Sequence, residues 1–196
     1  MSRLGRRGYT LIELAVALAL LGILFVKLTM IISEASKAHR EESAGMVLED
    51  QAQQVLDRIA YALIGADPDS LNPSSQKPFF SDRIAFRVSL GVEDGEIVWG
   101  DPEVIGLAPD PAQLFWARNE NTPDEQIVIW TRAVSELLQD ELLNGSDDNV
   151  NGLTDESGLT FDVDGDSVTI RLTLVTRTKD GRSISKSKET VITCRN

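Results

Sequence analysis

One carboxylate, that of Glu13, lies in an N-terminal segment that carries no other acid. Arg3, Arg6 and Arg7 precede it, and residues 14–26 include no polar side chain. A charge near the centre of a bilayer costs about 2–3 kcal/mol, so an acid within a membrane usually has a charged partner. We therefore expect Glu13 to meet a positive charge. The alternative is that it lies near lipid headgroups beside the arginines.

A second group of residues, in the acidic loop 147–156, could bind a metal ion. Asp and Asn alternate in this loop before Gly152. This spacing can direct oxygens toward a hard cation such as Ca²⁺, as in the first half of an EF-hand loop. The candidate ligands are Asp147, Asn149, Asn151, the backbone carbonyl of Leu153, Asp155 and Glu156. The motif departs from a full EF-hand because its closing twelfth position is Gly158. The alternative is an exposed acidic turn that binds no ion.

The rest of the inventory argues against most familiar enzyme chemistry. The chain has 19 Lys and Arg against 31 Asp and Glu, a net charge of -12, which disfavours binding to a nucleic-acid backbone. A single histidine, His39, and a single cysteine, Cys194, exclude an intramolecular disulfide and multi-His or multi-Cys metal sites. We interpret His39 as a solvated side chain and Cys194 as a buried or edge-strand thiol, and we predict no catalytic residues.

Glu13 is positioned by an apolar segment, residues 9–32, whose composition favours a helix. At about 1.5 Å per residue such a helix crosses a bilayer core of about 30 Å. The preceding arginines should stay in the cytoplasm, so the rest of the chain faces outward. A signal peptide cleaved at Ser33-Glu34-Ala35 and a plain membrane anchor are two interpretations, but neither explains the acid at position 13.

The stretch Arg7-Gly8-Tyr9-Thr10-Leu11-Ile12-Glu13-Leu14 resembles the class III signal of type IV pilins and type II secretion pseudopilins. The resemblance covers about the first 30 residues. It implies that a prepilin peptidase cuts after Gly8 and that Tyr9, where the family commonly has Phe, becomes N-methylated. Glu13 is then the fifth residue of the mature chain. In the family, this glutamate meets the N-terminal amine of a neighbouring subunit in the fibre.

Beyond the membrane, the helix is predicted to continue through residues 33–66 with one apolar face. That face comprises Leu48, Ala52, Val55, Leu56, Ile59 and Leu63. Short runs rich in Val, Ile, Phe and Trp predict β-strands at 83–90, 96–99, 113–118 and 126–132. A final strand is predicted at 190–194. Alternation over residues 168–174 predicts a half-buried antiparallel strand between turns at Asp164-Gly165 and Asp180-Gly181, whereas 133–143 is ambiguous.

The predicted fold class is therefore α+β, with a long N-terminal helix whose C-terminal half packs on an antiparallel β-sheet domain. The segments are a leader at 1–8, a transmembrane and fibre-core helix at 9–32, an amphipathic continuation at 33–66 and an extracytoplasmic β-rich domain at 67–196. Calcium, if bound, would be structural. The chain loosely resembles a J-type minor pseudopilin in three places. These are the helix 51–66, the run 126–132 with the insertion after it, and the closing strands.

The resemblance implies a structural subunit of the type II secretion pseudopilus, anchored by one span in a bacterial inner membrane and active in protein export. Its expected partners are prepilin peptidase, other pseudopilins or pilins through the N-terminal helix, the inner-membrane assembly platform and, before assembly, the lipid bilayer. No nucleic-acid partner is expected. The alternatives are a minor type IV pilin for adhesion, motility or DNA uptake, and a membrane-anchored extracytoplasmic calcium-binding protein, enzyme or sensor.

Overall fold

A computed structural model of the chain describes residues 10–74, 80–108, 113–178 and 180–195. It comprises two compact units, one up to Ser43 and one from Ala44 onward. Helix α1, Leu11–Leu63, contributes to both units. Gly8 and Tyr9 lie outside the described residues.

From Leu11 to Ile32, α1 is predominantly apolar on all sides, and its large apolar side chains are exposed. Leu11 is 87% exposed and the other large apolar residues up to Ile32 are at least 45% exposed. Within the described part of the chain, α1 is the one helix long and apolar enough to cross a membrane. A helix that shows apolar side chains on every face requires an apolar surrounding, so this part of α1 fits a single-pass membrane anchor.

In the second unit, α1 packs one face into the core. Every member of the apolar face predicted from the sequence is buried, from Leu48 to Leu63. The helix ends at Leu63, slightly before the predicted end. A short 3₁₀ helix, Pro68–Ser70, follows, and the side chain of Asp67 caps it by accepting a hydrogen bond from the N–H of Asp69 at 3.0 Å.

The remainder of the second unit is antiparallel β-structure in three sheets. The strands are β1 Arg83–Phe86, β2 Ser89–Glu93, β3 Glu96–Trp99, β4 Glu103–Leu107, β5 Leu114–Arg118, β6 Gln126–Thr131, β7 Leu159–Asp164, β8 Ser167–Arg177 and β9 Ser183–Thr193. A four-stranded sheet has the order β1-β4-β5-β6, β2 and β3 form a hairpin, and the third sheet has the order β7-β8-β9. The predicted α+β class with a long helix and an antiparallel sheet domain is confirmed.

The core lies between α1 and the two larger sheets. Ile84 and Ile105 from the four-stranded sheet, and Phe161 and Ile170 from the three-stranded sheet, join the buried face of α1 in one cluster. The predicted inward face of β8 is confirmed, because all four of its apolar residues are fully buried. Each fully buried large apolar side chain contributes roughly 1.5–3 kcal/mol to the free energy of folding. This cluster therefore stabilises the second unit.

Two strand predictions were wrong in detail, and two strands, β4 and β7, were not predicted. The run 83–90 is divided between β1 and β2, since the backbone of Arg87 is tied to Asp67 and to Ser70, which turns the chain from one sheet into another. Strand β4 was missed because Val104 and Ile105 are both buried, so it shows no alternation. The final strand begins at Ser183 rather than at residue 190.

The ambiguous segment 133–143 contains no helix and no named strand. Instead, residues 133–135 pair with the edge of β8 beyond the end of β7, where the N–H groups of Ser135 and Val175 donate to the carbonyls of Thr173 and Ala133. Thr173, predicted to face solvent, is only 1% exposed. Its hydroxyl accepts from the N–H of Gln139 at 3.0 Å, which satisfies the buried polar group.

Candidate assembly site and acidic loop

Glu13 lies in the first turn of α1 and bonds to Thr10, the residue before the helix. The backbone N–H and the hydroxyl of Thr10 donate to Oε2 of Glu13 at 2.7 and 3.0 Å, and the N–H of Glu13 returns a bond to the Thr10 hydroxyl at 3.3 Å. This reciprocal pattern is a capping box, which satisfies N–H groups that a helix start leaves unpaired. The sequence analysis did not assign Thr10 a role, although Thr-x-x-Glu is the signal for it.

No cation pairs with Glu13 in the part of the chain that the structure describes. The carboxylate therefore keeps its hydrogen bonds within its own helix start and has capacity left for an external cation, because only Oε2 accepts bonds there. An anion at a helix N-terminus is also stabilised by the helix dipole.

The acidic loop folds its candidate ligands onto its own backbone. Asp147 accepts from the N–H groups of Asn151 and Gly152 at 3.1 and 2.8 Å, and Asn149 also accepts from Asn151 at 3.1 Å. The side-chain oxygen of Asn151 accepts from Leu153 at 2.9 Å. These local turns hold the oxygens of the three alternating residues on the inner side of the loop.

Two carboxylates meet beneath this loop, and one of them was not predicted. Glu156 is 0% exposed, and the amide groups of Asn151 and Asn149 donate to it at 2.6 and 3.5 Å. Glu141, only 5% exposed, accepts from the N–H groups of Asn149 and Asp155, each at 3.2 Å. Glu141 precedes the motif, and no sequence signal marks it as part of the site.

Burial raises the pKa of Glu156 above its ordinary value, and the neighbouring Glu141 carboxylate adds to the rise. The hydrogen bond from Asn151 and the charge of Arg171 act in the opposite direction. Arg171 itself pairs with Glu189 at 2.6 Å. Desolvation therefore dominates, and the ionised form of Glu156 is costly in this environment.

The structure brings together Asn149, Asn151 and Glu156 but directs Asp155 elsewhere. Both oxygens of Asp155 accept from the backbone of residues 144 and 145, at 2.8–3.0 Å. Among the described residues, no three His, Cys, Asp or Glu side chains are arranged to hold a metal. Calcium binding thus stays a prediction.

The absence of a ligand at the twelfth motif position has a steric reason. A Cβ atom on Gly158 would lie 2.1 Å from the carbonyl oxygen of Ser135. No side chain fits at that distance, so the backbone of the 133–143 segment occupies the place where an EF-hand has its closing glutamate.

His39, Cys194 and the Asp164-Gly165 turn lie outside both candidate sites. His39 is exposed, and Cys194 is a free thiol only 4% exposed. Burial raises the pKa of the Cys194 thiol, with the Asp166 carboxylate adding to the rise, so the thiol is disfavoured as a nucleophile. Asp164-Gly165 forms the turn between β7 and β8, as predicted.

Comparison with known families identifies one match, which lies at the N-terminus. A family model described as the prokaryotic N-terminal methylation motif matches residues 3–26. This motif is the type IV pilin-like prepilin signal, and it supports a pilin or pseudopilin subunit that is processed by prepilin peptidase and assembles with other pilins. It is consistent with a structural, non-enzymatic protein.

Comparison of the whole chain adds no relative. No curated protein and no solved structure matches it. The similarity to known proteins is therefore confined to residues 3–26.

Proposed function

We propose that the chain is a minor pseudopilin that enters the type II secretion pseudopilus and supports protein export without catalysis. The observation that carries this proposal is the methylation motif at residues 3–26 at the start of a helix whose apolar side chains, up to Ile32, are exposed on every face. A motif, an anchor and a separate compact domain together match what a pilin-type subunit requires.

Glu13 is the proposed assembly residue. Cleavage after Gly8 would leave a cationic amine on Tyr9, and N-methylation would keep its charge. Within an apolar fibre core, a carboxylate and an amine on neighbouring subunits stabilise each other, and a displaced subunit would leave both unpaired. The pairing would therefore favour one axial register between subunits.

Replacing Glu13 by Gln tests this role while keeping the size of the side chain. We expect the variant to insert in the membrane and to be processed, but to be lost from sheared or cross-linked fibres, together with export. Glu34→Gln is the matched control, because Glu34 is an exposed acid of the same helix outside the apolar span. Fibre incorporation of the Glu13 variant at the level of the control would contradict the proposal.

A minor type IV pilin is the second candidate, supported by the same motif. The two functions differ in what a deletion strain loses. A pseudopilin deletion should stop export of folded proteins and leave surface pili, adhesion and twitching intact, whereas a pilin deletion should have the reverse effect. Retained export with lost piliation would therefore replace the first candidate with the second.

We further propose that the acidic loop holds a structural Ca²⁺, with Glu141 in the place of Asp155 among the ligands predicted from the sequence. The support is chemical, since Glu141 and Glu156 are carboxylates buried side by side, and Ca²⁺ prefers carboxylate and carbonyl oxygens. Asp147, Asn149 and Asn151 supply further oxygens at the loop. The cation would offset the repulsion between the two buried acids.

Calorimetric titration of the full chain with CaCl₂ tests this site. We expect saturable binding that is lost in Glu141→Gln and in Asp147→Ala and is retained in Asp124→Asn, a change at an exposed acid outside the loop. Thermal unfolding with and without calcium supplies a second readout. Equal heats in all four proteins would remove the loop as a binding site.

A further inference from the structure

One Asn-Gly dipeptide, Asn151-Gly152, lies within the acidic loop, and another, Asn144-Gly145, lies just before it. This pair of residues can react with itself in water, because glycine has no side chain to shield its backbone nitrogen. That nitrogen can attack the side-chain amide carbon of the preceding asparagine. The chain therefore offers two chemically identical sites for one reaction, and the folded structure decides whether they react alike.

The reaction is deamidation, and water is its single co-reactant. The bond that forms joins the glycine nitrogen to Cγ of the asparagine, and the bond that breaks joins Cγ to Nδ2. The glycine nitrogen gives up its proton to a base, and the amide nitrogen takes up a proton as it leaves as ammonia. Water then opens the succinimide ring at either carbonyl, which gives aspartate or isoaspartate. A neutral side chain thereby becomes a carboxylate.

The Asn144-Gly145 pair is arranged for this attack. The side-chain oxygen of Asn144 accepts from the N–H of Ser146 at 2.7 Å, and this turn directs the amide group back toward the nitrogen of Gly145. The Gly145 N–H donates to both carboxylate oxygens of Asp155 at 3.0 Å, so a base that can take its proton is already in contact. A Cβ atom on Gly145 would meet nothing within 4 Å, so the space around the nitrogen is open.

The amide group of Asn144 can leave without disturbing the folded core. Its Nδ2 donates to Asp148 at 2.8 Å, and both residues are exposed, so water competes for this hydrogen bond. Gly145 and Ser146 are exposed as well. The Asn144 side chain can therefore turn to the attacking geometry at low cost in free energy, because water replaces the bond that it loses.

The Asn151-Gly152 pair has the same turn and a base of its own, but its amide group is anchored. The side-chain oxygen of Asn151 accepts from Leu153 at 2.9 Å, and the Gly152 N–H donates to Asp147 at 2.8 Å. The difference lies in the leaving amide, because Nδ2 of Asn151 donates to the fully buried carboxyl group of Glu156 at 2.6 Å. Breaking this bond leaves buried polar groups unpaired, which slows the step by roughly tenfold or more.

We propose that Asn144 is a site of intramolecular deamidation, with the Gly145 nitrogen as nucleophile and Asp155 as base, and that the anchored Asn151 is protected. The proton moves from the Gly145 nitrogen to Asp155, and solvent supplies a proton to the departing ammonia. Water completes the reaction, so no partner protein or enzyme is required. This chemistry does not depend on fibre assembly or on calcium.

The product changes the contacts around position 144. A carboxylate there has no N–H to donate to Asp148 and repels that side chain instead. In the isoaspartate form the main chain gains a methylene group, which moves the N–H groups of residues 144 and 145 away from Asp155. Both effects loosen the chain between residues 142 and 148. Because the ammonia is lost, the fraction of modified chains increases with the age of the protein.

The test incubates the full chain in lipid nanodiscs in neutral, calcium-free buffer and follows both asparagines by mass spectrometry, in which fragment ions distinguish the two positions. We expect deamidation at Asn144 to be roughly tenfold or more faster than at Asn151. In a chain unfolded in urea the two rates should be similar, because the dipeptides are identical. Equal rates in the folded chain, or a faster reaction at Asn151, would overturn the proposal.

Two variants test the role of the base. Asp155→Asn removes the carboxylate that contacts the Gly145 nitrogen and should slow deamidation at Asn144 by about tenfold or more. Asp148→Asn is the matched control, because Asp148 contacts the leaving amide but not the attacking nitrogen, and it should leave the reaction at Asn144 intact. Thermal unfolding checks that both variants keep the fold. An unchanged or faster reaction at Asn144 in Asp155→Asn would overturn the proposal.

Discussion

The carboxylate of Glu13 is bound by Thr10 of the same chain, through the Thr10 N–H at 2.7 Å and its hydroxyl at 3.0 Å. In the proposed fibre, the same carboxylate meets the amine of a neighbouring subunit. The capping box would then hold Glu13 at the helix start before assembly and orient it for the incoming amine. Residue 10 thus becomes part of the assembly site together with residue 13.

Replacing Thr10 by Val is predicted to loosen the first turn of α1. The change removes the hydroxyl that accepts from the Glu13 N–H, and loss of such a cap costs about 0.5–2 kcal/mol. Hydrogen exchange of the full chain in nanodiscs should show faster exchange at the Glu13 amide. Thr10→Ser keeps the hydroxyl and should exchange like the original chain; equal exchange in the Val and Ser variants would rule out the cap.

The raised pKa of Glu156 predicts that stability depends on pH. Burial holds this pKa above the ordinary value of 4.5, so the folded chain binds the proton more tightly than the unfolded chain. In calcium-free buffer, the free energy of unfolding should fall as pH rises from about 4.5 through the folded pKa and should then level off. Thermal unfolding across this range measures the effect.

Glu156→Gln should remove this component of the pH dependence, because the amide does not titrate. Glu136→Gln, at an exposed position, serves as the matched control and should retain the slope. The attribution to Glu156 would fail if both variants kept the slope of the original chain.

Substitution of Gly158 by Ala is predicted to destabilise the second unit by about 1–3 kcal/mol or more. The added Cβ would lie 2.1 Å from the carbonyl oxygen of Ser135, and backbone rather than a flexible side chain would have to move. Gly45→Ala is the control, since its Cβ would make an ordinary contact at 3.4 Å with Lys186. Denaturant unfolding should separate the two variants, and similar midpoints would show that residues 133–143 can move aside.

Replacing Val150 by Gly is predicted to stabilise the acidic loop by about 1 kcal/mol. Val150 has φ 62°, a left-handed conformation that is costly for a β-branched residue, and its side chain is 87% exposed. Asn121 has a similar φ of 61° but tolerates it, so Asn121→Gly should change stability by only a few tenths of a kcal/mol. A lower free energy of unfolding in the Val150 variant would mean that the Val150 side chain stabilises the loop by more than its backbone conformation costs.

Two parts of the fold that have a regular period were predicted from the sequence. The buried face from Leu48 to Leu63 repeats every three or four residues, and β8 alternates over 168–174, so both were recovered. Strand β4 and the 133–143 segment have no such period, because β4 is buried on both faces and the segment is held by isolated contacts with β8. Long-range contacts of this kind leave no local pattern.

The candidate sites show the same division between local and long-range information. The Thr10–Glu13 cap is encoded within four residues, because Thr-x-x-Glu is the sequence signal of a capping box. The approach of Glu141 to Glu156 depends on how 133–143 packs on β8, which no spacing within the loop indicates. Local motifs could therefore be predicted, whereas the second carboxylate of the acidic site could not.

The most direct test of the account is the mass of the N-terminal peptide of the protein isolated from its assembled fibre. We predict a chain that begins at Tyr9 and carries one N-methyl group. Gly8→Ala should abolish this product, whereas Gly22→Ala, the same change within the described helix, should leave it intact. An assembled protein that begins at Met1 or Ser36 would contradict the account.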